Sequence, residues 1–332
     1  MTLRKLVLNC RDDRPVWAPP ADLADRLRSA LTPEWQVESV ATAVSSRGDG
    51  GSASAEALAA ARGAEVYIGA GVPRDLLLAA GPTLRWAHST TAGVASFLYP
   101  EMIESEVLFT NSAGIHAAPI AETVIGMILF FARGLDFAVR AQASIDWEQA
   151  VFSEAESPIR EIAGAELVLL GYGGIGREVS ARAEPLGMGV TALRSDSTKA
   201  EMQRALRRAD YLVIAAPETP RTRNLIGAQE LALMRRSAVL INVARGTLVD
   251  EQALIAALQA SRLRGAALDV FASEPLPADS PLWRLANVLI TPHVSAVTRR
   301  FWDRQLLLIL DNLARYRNGL PLRNLVDKRR GY

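Results

Sequence analysis

The chain has 332 residues, a length that suits two domains better than one. Its formal net charge of +1 and its 22% of charged residues favour neither nucleic acid nor an anionic membrane as a partner. The single cysteine, Cys10, excludes a disulfide framework, and the apolar run near the N-terminus is too short for a secretion signal. We expect a soluble, cytoplasmic protein.

Strands and helices are predicted to alternate through the first 110 residues. Short apolar runs predict strands at 3–8, 36–40, 64–69, 84–88 and 107–110. Helical patterns lie between them at 21–31 and 73–80 and in an alanine-rich stretch, which follows a glycine- and serine-rich segment at 45–54. That segment predicts a flexible surface loop. The regular alternation indicates a parallel sheet covered by helices.

One long helix is predicted next, over 119–140. Its apolar residues lie almost all round, so we expect it to be buried, in part against a second subunit. On this basis we expect a homodimer. A polar, irregular segment follows at 144–161. A second strand–helix series then begins at 166, with further strands at 190–193, 211–215, 239–243, 265–270 and 288–291 and helices that include 250–260 and 297–318.

The second series opens with the sequence ELVLLGYGGIG at 166–176. Its apolar run predicts a buried strand, and a helical pattern starts at its end. Between them, Gly171 permits a tight turn, Gly173 allows a pyrophosphate to approach the backbone, and Gly176 lets helix and strand pack closely. The helix N-terminus favours phosphate groups. The segment therefore predicts a dinucleotide-binding turn, although glycine-rich turns also occur for structural reasons alone.

Three polar residues follow three later strands of this series. They are Arg245, Glu274 and His293. In an open parallel sheet, ligands bind beyond the C-terminal ends of the strands. An arginine suits a carboxylate, a histidine can exchange a proton with an alcohol oxygen, and a glutamate can orient that histidine. Taken singly, Arg245 is usually a surface charge, Glu274 is also consistent with a turn residue, and His293 with a loop cap. Together with the glycine turn they indicate an active site.

The second half of the chain resembles the D-isomer-specific 2-hydroxyacid dehydrogenase family, which uses NAD or NADP. The resemblance rests on the glycine turn and extends in order and spacing over about 111–318. The other matching stretches are INVARGTLVDEQAL at 241–254, GAALDVFASEPLP at 265–277 and SPLWRLANVLITPHVS at 280–295.

This resemblance implies an α/β fold with two Rossmann-like or flavodoxin-like parallel-sheet domains and a cleft between them. The implied substrate domain is discontinuous, formed by 1–110 and 295–332. The implied dinucleotide-binding Rossmann domain is 111–294. Both domains would contribute to the substrate site.

The resemblance also implies residue roles. Arg245 matches the substrate-binding arginine, His293 the catalytic histidine, and Glu274 the acid paired with it. Asp269 matches an aspartate that contacts the nicotinamide carboxamide. The other implied cofactor contacts, to which Arg245 and His293 also belong, are Gly171, Tyr172, Gly173, Gly174, Ile175, Gly176, Ala216, Pro217, Thr222, Val243 and Ala244.

In the first half, TAGVAS at 91–96 resembles a loop whose backbone amides hold the substrate carboxylate. This implies that Ala92 and Gly93 contact the substrate. The family usually has an aspartate where this chain has Ala95. Backbone donors do not depend on that side chain, so the contacts remain expected.

The choice of cofactor depends on the residues after the strand at 190–193. An acidic residue there would bind the ribose 2′-hydroxyl of NAD. This chain instead has Arg194 and Ser195, which suit a 2′-phosphate and favour NADP. Alternatively Arg194 is solvated and Asp196 serves NAD.

The expected function is the reversible reduction of a 2-oxo acid to a D-2-hydroxy acid, as in a glyoxylate/hydroxypyruvate reductase. The alternatives are an NAD(H)-sensing, corepressor-like binding protein and a short-form phosphoglycerate dehydrogenase. We expect His88 and His116 to make local hydrogen bonds. The spacing of the three histidines predicts no metal site.

Overall fold

The structure, a computed structural model, describes residues 3–44, 52–147, 149–154 and 157–331. Most of the predicted loop at 45–54 lies outside these residues. Packing divides the chain into two compact units. The first unit is Met1–His116 with Val297–Tyr332, and the second unit is Ala117–Ala296. The chain therefore enters the second unit after His116 and leaves it after Ala296.

Each unit contains one sheet. The first unit has the strands β1 (Arg4–Asn9), β2 (Trp35–Ser39), β3 (Val66–Gly69), β4 (Trp86–Ser89) and β5 (Leu108–Thr110). The second unit has β6 (Glu166–Leu170), β7 (Gly189–Leu193), β8 (Tyr211–Ile214), β9 (Val239–Asn242), β10 (Gly265–Leu268) and β11 (Val288–Ile290).

Helices connect these strands and cover the sheets. In chain order they are α1 (Leu23–Ala30), α2 (Ala55–Ala61), α3 (Arg74–Ala80), α4 (Pro100–Glu104), α5 (Ala117–Ala132), α6 (Leu135–Ala143), α7 (Ala150–Ser153), α8 (Gly174–Ala183), α9 (Lys199–Arg208), α10 (Ala228–Leu233), α11 (Glu251–Gln259) and α12 (Phe301–Arg317). No helix in the described part of the chain is long and apolar enough to cross a membrane.

Both sheets are parallel throughout. The strand order is β2-β1-β3-β4-β5 in the first unit and β11-β10-β9-β8-β6-β7 in the second. Numbered from the first strand of each sheet, the first unit has the flavodoxin-like order 2-1-3-4-5, and the second unit has the same order with a sixth strand added; both are doubly wound. Buried apolar clusters lie on both faces of each sheet, which is why strands such as β3 and β8 are apolar along their whole length. The predicted fold class of two parallel-sheet α/β domains is confirmed.

The prediction of one helix over 119–140 is wrong. The chain forms α5 and α6 instead, separated at Gly134. Gly134 has a φ of 64°, a left-handed conformation in which glycine lacks the steric penalty of a side chain. The expectation of burial all round holds only in part, because Glu122 is exposed on α5 and Leu135 and Val139 are exposed on α6. The short helix α7 also lies within the predicted irregular segment.

Candidate active site

The glycine turn joins β6 to α8 as predicted, and two of its glycines are required by close contacts. Gly171 has a φ of 102°, and a Cβ there would lie 2.7 Å from the backbone of Ala215 and Ala216. A Cβ at Gly176 would lie 2.4 Å from the carbonyl oxygen of Gly171. A Cβ at Gly173, in contrast, would meet no atom within 4 Å. The backbone at Gly173 is therefore open to a ligand.

This turn lies where the order of the second sheet reverses. From β6 the chain goes to β7 on one side and then crosses to β8 on the other. Ligands of doubly wound sheets bind at such a switch point. The first N–H groups of α8 have no acceptor within the helix and carry the positive end of its dipole. An open backbone at Gly173 beside these donors, which begin with Gly174 and Ile175, fits the pyrophosphate of a dinucleotide.

The loop after β8 holds Ala216, Pro217 and Thr222. The Thr222 hydroxyl donates to the Pro217 carbonyl at 2.8 Å and accepts from the Thr219 N–H at 2.8 Å. These bonds close the loop on itself. Because Gly171 packs against the Ala216 backbone, the loop lies beside the glycine turn, where its predicted cofactor contacts require it.

Arg194 and Ser195 are exposed at the end of β7. The Arg194 guanidinium lies 4.9 Å from the centre of the Tyr172 ring, a cation–π contact that links it to the glycine turn. The Arg194 N–H donates to the Ser197 hydroxyl at 2.9 Å. The Arg194 guanidinium is thus available next to the turn. Ser195 and Asp196, which follow it in sequence, are also exposed.

His293 and Glu274 form a hydrogen-bonded pair. The Nδ1 atom of His293 lies 2.7 Å from Oε2 of Glu274, and Oε1 accepts from the Phe271 N–H at 3.0 Å. Burial raises the pKa of Glu274. The hydrogen bonds from His293 and Phe271 and the charge of Arg245 lower it by more than burial raises it, so the pKa lies below its usual value. Glu274 is therefore a carboxylate near neutral pH. It fixes the imidazole through Nδ1, which leaves Nε2 for a reacting group.

Asp269 fixes the loop that carries His293, a role the sequence analysis missed. Asp269 is fully buried, and its carboxylate accepts from the Thr291 hydroxyl at 2.6 Å and from the N–H groups of Val294 and Ser295 at 2.9 and 3.0 Å. His293 itself has a φ of 55°, an unusual backbone conformation for a non-glycine residue. The signal was present as an acidic residue directly after a buried strand. Its predicted contact with the nicotinamide remains a prediction.

Arg245 follows β9, the strand next to β10. The buried Asn242 shapes this turn, because its side chain donates to the Arg245 carbonyl at 2.9 Å and accepts from the Ala244 N–H at 3.1 Å. Gly246 is required here, since a Cβ would lie 1.9 Å from the Phe271 backbone. Val243 and Ala244 are buried, whereas Arg245 is exposed.

The strand order places these three loops together. Because β9, β10 and β11 are neighbours, Arg245, Glu274 and His293 follow adjacent parallel strands at one edge of the sheet. The glycine turn lies at the same edge, after β6. An exposed guanidinium, an imidazole oriented by a carboxylate and a glycine turn with an open backbone thus occur on one sheet, a combination that suits hydride and proton transfer.

In the first unit, Ala92 and Gly93 lie in the loop after β4. Among the described residues, neither N–H donates to a protein acceptor. Two adjacent N–H groups without acceptors form a suitable site for an anion. Ala95 is exposed. The Thr91 hydroxyl donates to the Gly93 carbonyl at 3.0 Å.

His88 and His116 make contacts within the first unit. His88 is fully buried, with Nδ1 2.8 Å from the Thr110 hydroxyl and Nε2 2.8 Å from the Gln305 amide nitrogen. Burial lowers the pKa of His88 to about 3, so its ring is neutral. His116 stacks on Phe301 with ring centres 5.4 Å apart. Within 3–44, 52–147, 149–154 and 157–331, no cluster of three or more His, Cys, Asp or Glu side chains could hold a metal ion.

Comparison with known proteins identifies the family. The family model described as D-isomer specific 2-hydroxyacid dehydrogenase, NAD binding domain, matches residues 125–295, just over half of the chain. The chain is 34% identical over 281 residues to a glyoxylate/hydroxypyruvate reductase B from Erwinia tasmaniensis, covering 81% of this chain and 87% of that protein. A protein of the same name from Yersinia pestis is 32% identical over 287 residues, covering 82% and 86%.

Solved structures agree with this assignment. A D-isomer specific 2-hydroxyacid dehydrogenase from Xanthobacter autotrophicus, in complex with NADPH and MES, superposes with a TM-score of 0.80 at 28% identity, covering 99% of this chain and 100% of that one. A probable 2-hydroxyacid dehydrogenase from Rhizobium etli, in complex with NADP, HEPES and L(+)-tartaric acid, has a TM-score of 0.75 at 25% identity, with coverage of 99% and 100%. The chain therefore belongs to the D-isomer specific 2-hydroxyacid dehydrogenase family, and it is an oxidoreductase that uses NAD or NADP.

Proposed function

We propose that the protein reversibly reduces a short 2-oxo acid to the D-2-hydroxy acid, with glyoxylate and hydroxypyruvate as substrates. The observation that carries this proposal is the His293–Glu274 pair on the sheet edge that also holds Arg245 and the glycine turn. The names of the relatives support the choice of substrates. The protein binds a small-molecule acid, and all the proposed groups suit a carboxylate next to a carbonyl.

Each polar group has a distinct role in this proposal. When bound, the reduced nicotinamide supplies a hydride to C2 of the 2-oxo acid. Nε2 of protonated His293 gives its proton to the carbonyl oxygen, and Glu274 stabilises the imidazolium through Nδ1. Arg245 binds the carboxylate and polarises the carbonyl, for which its planar guanidinium provides paired donors.

The first unit contributes through its backbone. We propose that the N–H groups of Ala92 and Gly93 donate to the substrate carboxylate, because they are adjacent and have no acceptor among the described residues. We further propose that this unit is the substrate domain and that the second unit is the dinucleotide-binding domain. The glycine turn belongs to the second unit.

NADP is the proposed cofactor, with NAD as the alternative. The backbone of Gly173, Gly174 and Ile175 would hold the pyrophosphate, and Arg194 with Ser195 would hold the 2′-phosphate. Arg194 is exposed and its guanidinium is directed to the glycine turn by the contact with Tyr172, which favours an anion at this place. The remaining proposed cofactor contacts are Gly171, Gly176, Ala216, Pro217, Thr222, Val243, Ala244, Arg245, Asp269 and His293.

A panel of 2-oxo acids tests the function. The full chain is mixed with NADPH or NADH and with glyoxylate, hydroxypyruvate, pyruvate or 3-phosphohydroxypyruvate, and the nicotinamide absorbance is followed. We expect turnover of the first two acids and faster turnover with NADPH. Turnover of the phosphorylated acid alone would support a phosphoglycerate dehydrogenase. Tight cofactor binding without turnover of any acid would contradict the proposed reductase activity and support a dinucleotide sensor.

We also propose that the protein is a homodimer. Large apolar side chains are exposed close together in sequence on and after α6. Ile145 is 97% exposed and Trp147 91% exposed, and Leu135 and Val139 are exposed on the helix itself. Such exposure is unusual unless another chain covers the surface. Light scattering of the purified protein should give twice the chain mass of 35.9 kDa, and the monomer mass would contradict the proposal.

A further inference from the structure

The loop after β4 is tied down through its carbonyl groups. Ser112 donates from its hydroxyl to the Ser89 carbonyl at 2.9 Å and from its N–H to the Thr91 carbonyl at 3.0 Å. The side-chain amide of Asn111 donates to the Ala92 carbonyl at 2.7 Å. Two consecutive residues directly after β5 therefore hold the last carbonyl of β4 and two carbonyls of the loop.

These bonds determine where the loop's N–H groups point. A trans peptide is planar, so its N–H points opposite to its C=O. The Thr91 carbonyl shares a peptide with the Ala92 N–H, and the Ala92 carbonyl shares one with the Gly93 N–H. Since Ser112 and Asn111 hold these carbonyls on one side, both N–H groups must point to the other side. On that side, neither meets an acceptor among the described residues.

Asn111 is itself held rigidly. It is buried, and its side-chain oxygen accepts from the Ala113 N–H at 3.1 Å. Its backbone N–H donates to the Asn324 carbonyl at 3.2 Å, and its carbonyl accepts from the Asn324 side chain at 3.2 Å. The Asn324 side chain also donates to the Ala113 carbonyl at 2.8 Å. Asn324 lies after α12 and has a φ of 54°, which asparagine tolerates better than most residues.

We propose that Asn111 is a positioning residue for the substrate carboxylate, which aims the Gly93 N–H by holding the Ala92 carbonyl, and that Asn324 supports it. The inference rests on the proposed 2-oxo acid reductase function. Asn111 does not touch the substrate in this account. It acts through the peptide that joins Ala92 to Gly93.

A purely structural role for Asn111 makes a different prediction. An asparagine that only stabilises the segment after β5 would affect folding without affecting carboxylate binding. Asn312 provides the comparison, because it is buried in the same unit and its side chain donates to the Arg323 carbonyl at 3.1 Å and accepts from the Arg323 N–H at 2.7 Å. Neither of these bonds involves the loop after β4.

The test is Asn111→Asp, which keeps the size and the acceptor and replaces the donor by an oxygen that repels the Ala92 carbonyl. With glyoxylate and NADPH, we expect KM for glyoxylate to rise about tenfold, the effect of about 1.4 kcal/mol in carboxylate binding. The kcat value should stay within about threefold, and NADPH affinity, measured by fluorescence, should be unchanged. Asn312→Asp should lower the melting temperature and leave KM for glyoxylate unchanged.

Asn324→Gly is a second variant, in case Asn111→Asp does not fold. Glycine accepts the left-handed backbone at this position, and the substitution removes only the side-chain bonds to Asn111 and Ala113. We expect a smaller rise in KM for glyoxylate, about threefold, with unchanged NADPH affinity.

The outcomes separate this inference from the proposed function. A wild-type protein that turns over no 2-oxo acid overturns both. A wild-type protein that reduces glyoxylate, together with an unchanged KM in Asn111→Asp, overturns only the positioning role. Equal increases of KM in Asn111→Asp and Asn312→Asp would do the same, because they would show a general loss of structure.

Discussion

The two units present polar groups at the ends of their strands in opposite ways. The second unit supplies charged side chains at the ends of adjacent strands, among them Arg245 and the His293–Glu274 pair. The first unit supplies backbone N–H groups at Ala92 and Gly93, aimed by bonds on the far side of the peptide. In the second unit the polar group is the side chain itself. In the first unit the polar group is a backbone N–H, and neighbouring residues fix its direction.

Two of the three histidines make the same contrast. The side chain of His293 is 45% exposed, and its Nδ1 lies 2.7 Å from the Glu274 carboxylate. His88 is fully buried between neutral partners, and its lowered pKa keeps the ring uncharged. The same residue type is thus the proposed proton donor in the second unit and a buried core residue in the first. The environment decides between the two roles.

The largest effect is expected at His293, the side chain that we propose gives the proton. His293→Asn should lower kcat for glyoxylate reduction about a thousandfold, since a positioned acid–base group contributes that order of rate. NADPH affinity and the melting temperature should stay close to wild type. Activity above a tenth of the wild-type rate would show that the second unit does not supply the proton through this side chain.

A smaller effect is expected at Arg194, which we propose selects the cofactor without entering the reaction. Arg194→Asp should shift the ratio of kcat/KM for NADPH over NADH toward NADH by about 10- to 100-fold, because a charge-assisted hydrogen bond to the phosphate is lost. Arg207→Asp makes the same charge change at an exposed position of α9 and should leave the ratio unchanged. A ratio equal to wild type in Arg194→Asp would contradict the 2′-phosphate site.

The smallest effect is expected at His88 and concerns stability alone. The pKa of His88 is about 3 in the folded chain against a usual 6.5, so between these values only the unfolded chain takes up this proton. The free energy of unfolding should therefore fall as pH decreases from 6.5, by at most about 1.4 kcal/mol per pH unit from this group. In His88→Gln this contribution to the pH dependence of the free energy of unfolding should vanish. Urea unfolding of the wild type and the variant at pH 7 and 5.5 measures that dependence. The same pH dependence in both proteins would contradict a neutral buried ring.

Much of the fold was predictable from sequence because its signals are local. Apolar runs of the length of a strand, separated by helical patterns, indicated two parallel sheets. The exception was the predicted single helix over 119–140, where α5 ends and α6 begins around Gly134. Glycine is compatible with a helix, so the sequence did not distinguish a break from a continuation. At the break, Gly134 has a left-handed φ, and a Cβ there would lie 2.9 Å from the Phe152 ring.

The candidate site was predictable in the second unit for a related reason. Residues that follow parallel strands share one edge of the sheet, so Arg245, Glu274 and His293 could be placed together before any distance was known. The residues that hold these side chains in place could not be predicted in this way. Asp269 holds the His293 loop through bonds to residues 22 to 26 positions away, and no local pattern indicates which donors will reach a buried carboxylate.

The sequence by itself determined the succession of strands and helices along the chain, the glycine turn, and which charged residues follow the strands. Each of these depends on neighbours within a few residues. Only the tertiary structure decided how the first unit aims its N–H groups. Asn111 meets Asn324 across 213 positions of sequence, and Ser112 meets Ser89 across 23. Hydrogen bonds between distant segments depend on how the sheet and α12 pack, and that packing is a property of the whole unit.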